Sequence, residues 1–149
     1  MKALIIYDSA YGNTEKIARA IGGAIAGEVK VLRAAEANPS ELASIDFLIA
    51  GSPTQGGRPT PPVLAFIKGI PETAIKGMSV AAFDTRVPAK WVMVFGYAAG
   101  RIAGGLKKKG GTLVLPPEGF FVKATKGPLK DGEPERAAAW AKKVIESKK

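Results

Sequence analysis

The chain has 149 residues, the size of one domain that can bury a continuous core, and no apolar run nears the roughly 20 residues of a membrane span. It contains no cysteine and no histidine, which excludes disulfides, iron–sulfur clusters, thiolate nucleophiles, the usual zinc sites and histidine-based general bases. The formal net charge of +9 permits attraction to acidic proteins, nucleic acid or anionic membranes. Because the chain has no cysteine and no histidine, any redox chemistry depends on a bound cofactor.

The first predicted strand, Ala3–Tyr7, starts close to the N-terminus. It leads into a loop of hydroxyl and amide residues, Ser9-Ala10-Tyr11-Gly12-Asn13-Thr14. A helix is predicted from Thr14 to Ala26, because its apolar residues recur at helical spacing. Since the chain enters a strand at once, it leaves no room for a signal peptide, and a cytoplasmic location is expected.

The loop between this strand and this helix has the features of an anion site. The N–H groups of a first helical turn have no intrahelical partner, and the helix dipole favours negative charge beside them. Gly12 permits a positive φ, and the hydroxyls of Ser9 and Thr14 can donate to phosphate oxygens. A Walker loop has a lysine that this loop lacks, which favours a bound cofactor over phosphoryl transfer. The alternative is an ordinary turn in which Ser9 or Asn13 only caps the helix.

Further strands and helices follow in alternation, and the strands are uniformly apolar, as expected for a sheet covered by helices on both faces. The strands are predicted at Val29–Leu32, Phe47–Ala50, Ser79–Phe83 and Thr112–Leu115. The helices are predicted from Asn38 for a brief stretch, and at Pro61–Lys68, Val92–Lys109 and Glu133–Ser147.

Glycines and prolines add detail to the second half of the chain. Gly96, Gly100 and Gly104 are spaced to share one helix face, where they are expected to allow close packing on the sheet. Pro116-Pro117 marks a turn after the fifth strand, and Phe120-Phe121-Val122 is expected to extend or re-enter the sheet.

Five strands alternating with five helices predict a parallel α/β sheet with right-handed crossovers. Ligands of such sheets bind beyond the carboxyl ends of the strands. The loops that follow the first, third and fourth strands, at Ser9–Thr14, Gly51–Pro59 and Asp84–Lys90, all lie at that edge. Their convergence favours a cofactor site.

Together these features resemble the flavodoxin family in its short-chain form. The phosphate loop of that family is written T/S-x-T-G-x-T, and Ser9-Ala10-Tyr11-Gly12-Asn13-Thr14 matches it except at Tyr11. The stretch from Tyr7 to Lys16 also resembles the flavodoxin domains of larger A-type flavoproteins. The resemblance implies one domain over residues 1–149, a three-layer αβα sandwich whose five-stranded parallel sheet has the order 2-1-3-4-5.

The resemblance further implies FMN as the cofactor. Its phosphate is expected in the first loop, on Ser9, Ala10, Tyr11, Gly12, Asn13 and Thr14. Its isoalloxazine ring is expected between the other two loops, beside Pro53, Thr54, Gln55, Gly56, Gly57, Asp84, Thr85 and Arg86. No catalytic residue and no metal ligand are assigned.

Two departures from the family pattern concern aromatic residues. Gly51–Pro59 has no aromatic residue to stack on the ring. Trp91 borders the loop after the fourth strand, where it either stacks on the ring or packs in the core. Tyr11 is expected near the ring or the phosphate.

The basic charge concerns the partners. Residues 101–149 hold twelve Lys and Arg against five Asp and Glu, a net charge of +7. The expected function is FMN-dependent electron transfer between redox partner proteins, with acidic partners favoured and nucleic acid not expected. One alternative is an NAD(P)H-dependent quinone reductase on the same fold. A second is a flavin-free scaffold or nucleic-acid-binding module.

Overall fold

A computed structural model of the protein describes residues 1–88 and 97–148, and a parallel β-sheet lies at its centre. The strands run in the order β2-β1-β3-β4-β5, and β6 also pairs with β4. Every pairing between these strands is parallel. The strands are β1 (Lys2–Tyr7), β2 (Glu28–Arg33), β3 (Phe47–Pro53), β4 (Ser79–Arg86), β5 (Thr112–Leu113) and β6 (Glu118–Phe121). The predicted order of the sheet is confirmed.

The fifth position of the sheet is shared by two short strands. Thr112 of β5 lies 33 positions after its partner Ser79, whereas Glu118 of β6 lies 35 positions after its partner Phe83. Two additional residues are therefore inserted between the halves. Pro116-Pro117 lies in this interval, and proline has no N–H to donate to a ladder of backbone hydrogen bonds. The expectation that Phe120 and Phe121 re-enter the sheet is confirmed.

The α-helices of the described residues cover both faces of the sheet. They are α1 (Asn13–Ala24), α2 (Pro61–Lys68), α3 (Ala98–Lys108) and α4 (Glu133–Glu146). Apolar residues of α1 and α4 pack on one face, and those of α2 and α3 pack on the other. In the described parts of the chain, no helix is both long and apolar enough to cross a bilayer.

Several predicted boundaries differ from those observed. The strands β3 and β4 each run three residues further than their apolar cores, so Gly51–Pro53 and Asp84–Arg86 belong to strands and not to loops. The helix predicted from Asn38 is a 3₁₀ segment, Pro39–Ser44. The helix predicted from Val92 is described only from Ala98, and the earlier part of that prediction lies outside the described residues.

The expected glycine packing of this helix is wrong for the residues that are described. A β-carbon built on Gly100 or Gly104 meets no atom within 4 Å. Gly105 instead faces α2, where its β-carbon would lie 3.0 Å from Ile67. The prediction for Gly96 falls outside the described residues. The glycine that closes the gap between the helices is therefore one position away from the predicted series.

Gly51 of β3 leaves the space that the Phe83 ring of β4 occupies. Gly51 is the register partner of Phe83, and a β-carbon built on Gly51 would overlap the Phe83 ring. That ring makes edge-to-face contacts with Phe120 and Trp140, with centroids 6.2 and 6.3 Å away. Phe83 is fully buried among these rings, so a methyl group added at Gly51 must displace packed side chains.

A second fixed point joins α4 to β6. The N–H of Phe121 donates to Glu133 Oε2 over 2.7 Å, and Arg136 donates to both oxygens of the same carboxylate. Arg136 also donates to the Gly119 carbonyl. The hydrogen bonds to Arg136 and Phe121 hold the pKa of Glu133 below its usual value, against the raising effect of burial.

We expect Gly51→Ala to lower the free energy of unfolding by about 3 kcal/mol, because the added methyl group overpacks the Phe83 ring. Denaturant titration measures the loss. Gly51→Ala combined with Phe83→Leu should lose less than the two single changes together. Gly23→Ala is the control, since it lies on an exposed turn of α1 with nothing within 4 Å and should stabilise by about 0.5–1 kcal/mol. Equal effects of Gly51→Ala and Gly23→Ala would contradict the packing described.

We expect Glu133→Gln to destabilise the protein by about 1–3 kcal/mol at pH 7, because it weakens hydrogen bonds to a charged group. The folded pKa of Glu133 lies below its ordinary value of 4.5. Its contribution is therefore complete above pH 4.5 and is lost as the pH falls through the folded pKa. Unfolding curves at a series of pH values should show wild type and variant converging in acid. Glu135→Gln, in the same first turn but exposed, is the control, and a matching loss there would contradict the specific role of Glu133.

Candidate functional site

A cavity of about 790 Å³ opens at the carboxyl edge of the sheet. Its walls come from the last residues of β3 and β4 and from the segments that follow β1, β3, β4 and β6. The lining residues are Ser9, Ala10, Tyr11, Asn13, Thr14, Pro53, Thr54, Gln55, Gly56, Gly57, Thr85, Arg86, Val87, Val122 and Thr125.

The loop after β1 presents hydrogen-bond donors at one end of this cavity. Gly12 has a φ of +90° and precedes the first residue of α1. Ser9 Oγ accepts hydrogen bonds from the N–H groups of Gly12, over 3.0 Å, and Glu15, over 3.4 Å. The Ser9 hydroxyl therefore caps the helix through its oxygen and keeps its proton for another acceptor. Capping and anion binding, which were alternatives at the level of sequence, are compatible here.

A buried pair of hydroxyl groups joins this loop to β4. Thr14 Oγ1 and Thr85 Oγ1 lie 2.7 Å apart, so one hydroxyl donates to the other. Both residues line the cavity, yet they are only 1% and 4% exposed. The start of α1 and the end of β4 are thereby held together beneath the cavity.

The segment after β3 forms a tight hairpin turn at another wall. Gln55 and Arg58 exchange two backbone hydrogen bonds of 2.9 and 3.0 Å. Gly56 and Gly57 between them have φ values of +57° and +79°, the signs that a type I′ turn needs. Arg101 Nε donates to the Gly57 carbonyl over 3.0 Å, which fastens the turn to α3.

Asp84 lies behind the cavity wall and not on it. It is fully buried, and its two oxygens accept from Nε and Nη2 of Arg86 over 2.7 and 2.8 Å. The N–H of Ala99 donates to the same carboxylate over 2.9 Å, and the N–H of Ala98 donates to Thr54 Oγ1 over 3.2 Å. Burial raises the pKa of Asp84, and the guanidinium of Arg86 opposes that rise. The positive charge of Arg86, which lines the cavity, is thus offset by the carboxylate of Asp84.

Most of the predicted site residues lie around this one cavity. Gly12 shapes the backbone of the first loop and Asp84 holds Arg86, and these two do not line the cavity. Tyr11 lines it with its side chain half exposed at the surface. The predictions for Lys90 and Trp91 lie outside the described residues.

The prediction missed Val122 and Thr125, whereas Val87 lies within the predicted loop Asp84–Lys90. Val122 and Thr125 follow β6, and Asn13 Nδ2 of the first loop donates to the Lys126 carbonyl over 3.3 Å. The signal was present in the apolar stretch around Phe121, since a strand there ends at the same edge as the others.

Comparison with known proteins agrees with this fold. The flavodoxin family model matches residues 5–140. A flavodoxin from the domain Archaea is 24% identical, with a TM-score of 0.82 and coverage of 98% of this chain and 97% of that one. Flavodoxin 2 of Bacillus cereus, in its oxidised form, is 25% identical, with a TM-score of 0.83 and coverage of 98% and 99%.

A larger protein contains a similar unit. The rubredoxin:oxygen oxidoreductase of Desulfovibrio gigas is 21% identical with a TM-score of 0.78, and the match covers 98% of this chain but 35% of that one. None of the curated proteins matches the chain. Because the family model spans most of the sequence, and the fold and strand order agree with it, this chain belongs to the flavodoxin family.

Proposed function

We propose that this protein binds FMN and transfers electrons between redox partner proteins. The observation on which the proposal rests is the convergence of four chain segments on one cavity, with hydrogen-bond donors concentrated at one end. Membership of the flavodoxin family supports a flavin as the ligand. When bound, FMN supplies one-electron and two-electron chemistry that the side chains of a chain without cysteine do not supply.

The residues at the first end of the cavity fit a phosphate group. The Ser9 hydroxyl keeps a proton to donate, and the N–H groups of Asn13 and Thr14 begin a helix and have no intrahelical partner. A volume of about 790 Å³ suits a ligand that has a ring system as well as a phosphate. We assign the phosphate to Ser9, Ala10, Tyr11, Gly12, Asn13 and Thr14.

The other walls fit a planar ring. The hairpin turn after β3 and the end of β4 present backbone and short side chains, and Val87 and Val122 add apolar surface. These residues orient a ring and exclude water from one of its sides. We assign the ring to Pro53, Thr54, Gln55, Gly56, Gly57, Thr85 and Arg86, with Asp84 holding the Arg86 side chain from behind.

Charge around the mouth of the cavity supports acidic partners. Arg58, Lys123 and Lys126 are exposed on the segments that line it or adjoin it. None of the three forms an ion pair with a residue of the described ranges 1–88 and 97–148. Exposed Tyr11 and Val87 add apolar contact area between these cations. An acidic surface on a redox partner is the complement of this pattern.

The lysines of α3 lie away from the mouth. The helix starts near Asp84 and ends near the start of β4, where the Gly77 N–H donates to the Gly110 carbonyl. Lys109 Nζ donates to the carbonyls of Lys68 and Ile70 and so closes the end of α2. The basic excess of residues 101–149 is therefore divided between two edges of the sheet, and only part of it can face a partner at the cavity.

The first test is visible absorption of protein that is loaded with FMN, freed of excess flavin and reduced stepwise without oxygen. We expect the flavin to stay with the protein and to be reduced in two resolved one-electron steps. Reduction in a single two-electron step, with turnover of NAD(P)H and a quinone, would favour the reductase instead. Loss of all flavin on gel filtration would contradict the proposal and favour a flavin-free module.

The charge of the mouth can be tested with a small anionic oxidant. We expect oxidation of the reduced holoprotein by ferricyanide to slow as salt is added, because the positive mouth attracts the anion at low ionic strength. Lys123→Glu combined with Lys126→Glu should slow the reaction at low salt by about threefold to tenfold. Stopped-flow absorbance measures the rates.

The matched control for that experiment is Lys107→Glu combined with Lys108→Glu. It changes the net charge by the same amount, but at the C-terminal end of α3, away from the cavity. It should alter the rate much less than the change at the mouth. Equal slowing by the two double variants would mean that only net charge matters, and it would count against a docking surface at the cavity.

A further inference from the structure

Arg33 is the last residue of β2, and its side chain reaches both ends of the loop after β1. We propose that Arg33 is a positioning residue for this loop, which fixes the backbone that receives a phosphate and offsets the carboxylates beside it. The inference rests on the proposed function, because the phosphate it concerns is that of the flavin. Arg33 does not itself line the cavity.

The contacts of Arg33 bracket the loop. Nη1 donates to the Ser9 carbonyl over 3.2 Å and lies 3.5 Å from Asp8 Oδ1. Nη2 lies 3.5 Å from Glu15 Oε1, in the first turn of α1. The guanidinium carbon is also 5.4 Å from the ring centroid of Tyr7, at the end of β1. One planar group thus connects the residues before the loop with the residue after it.

These contacts matter for the backbone because Ser9 makes three of the hydrogen bonds that hold the loop. Its carbonyl is held by Arg33, while its hydroxyl oxygen accepts the N–H groups of Gly12 and Glu15. Rotation of the Ser9 peptide would move that hydroxyl and release both N–H groups. A lysine cannot replace the contact, because a single ammonium group lacks the fixed, divergent donors of a guanidinium.

The contacts also matter for charge. Asp8 and Glu15 place two carboxylates beside a loop proposed to hold a phosphate, and like charges repel. The hydrogen bond and the charge of Arg19 hold the pKa of Glu15 below its usual value, with a smaller effect from the charge of Arg33, so this carboxylate is ionised at neutral pH. Arg33 lies between the two carboxylates and offsets both. Without it, Glu15 would keep its ion pair with Arg19, at 3.0 Å, but Asp8 would lose the cation that pairs with it in the described part of the chain.

The test compares two ligands that differ in the phosphate alone. Apoprotein is titrated with FMN and with riboflavin, and flavin fluorescence gives both dissociation constants. We expect Arg33→Met to weaken FMN binding by about tenfold and riboflavin binding by less than about twofold. Arg33→Lys keeps the charge but not the divergent donors, so it should still weaken FMN binding several-fold. Lys30→Met is the control. Lys30 is a cation on the same strand, but it pairs with Glu41 and not with the loop.

A second readout needs no flavin. Amide hydrogen exchange of the apoprotein should show faster exchange at Gly12 and Glu15 in Arg33→Met than in wild type or Lys30→Met, because their common acceptor on Ser9 is no longer held. Thermal unfolding of each variant establishes that it is folded.

The outcomes separate the inference from the function. Three results would each overturn the positioning role. The first is equal weakening of FMN and riboflavin binding in Arg33→Met, and the second is FMN binding at the wild-type level in Arg33→Met or Arg33→Lys. The third is unchanged amide exchange at Gly12 and Glu15. If wild type binds neither flavin, the proposed function fails, and with it the phosphate part of the inference. The exchange rates then still decide whether Arg33 holds the loop.

Discussion

Burial of both faces of the sheet is the constraint on which the rest of this structure depends. The central strands present apolar side chains to helices above and below, so their middles have no place for polar groups. Buried polar residues occur instead where strands or helices start and end, at Asn13, Thr14, Ser52, Thr60, Ser79, Asp84, Thr85 and Glu133. Because parallel strands end at a common edge, several of these polar groups meet at the cavity.

The sequence predicted the elements that depend on burial and missed those that depend on pairing alone. The first four residues of β3, Phe47–Ala50, were recognisable because they are uniformly apolar. The residues that extend it, Gly51–Pro53, are not apolar, and they join the sheet because the backbone of β4 continues beside them. The same reason extends β4 through Asp84–Arg86. A local pattern does not contain this information, since a backbone ladder tolerates many side chains.

The candidate site was predicted well where one loop makes it and less well where separate segments meet. The hydroxyls of Ser9 and Thr14 could be read from their place between a strand and a helix. The hydrogen bond between Thr14 and Thr85 joins residues 71 positions apart, and neither local sequence predicts it. The pair formed by Arg86 and Asp84 is local by contrast, because the two residues are two positions apart, and it removes most of the effect of Arg86 as a free charge.

The pair formed by Thr14 and Thr85 has a consequence for the polarity of the cavity. A hydroxyl has one proton, so at any moment only one of the two residues donates across the 2.7 Å that separates them. If an acceptor at the first end of the cavity takes the proton of Thr14, Thr85 must turn its own proton toward Thr14. Thr85 then offers the other end of the cavity only an acceptor. Occupation of one end therefore dictates which hydrogen bonds the opposite end can make, without movement of any backbone atom.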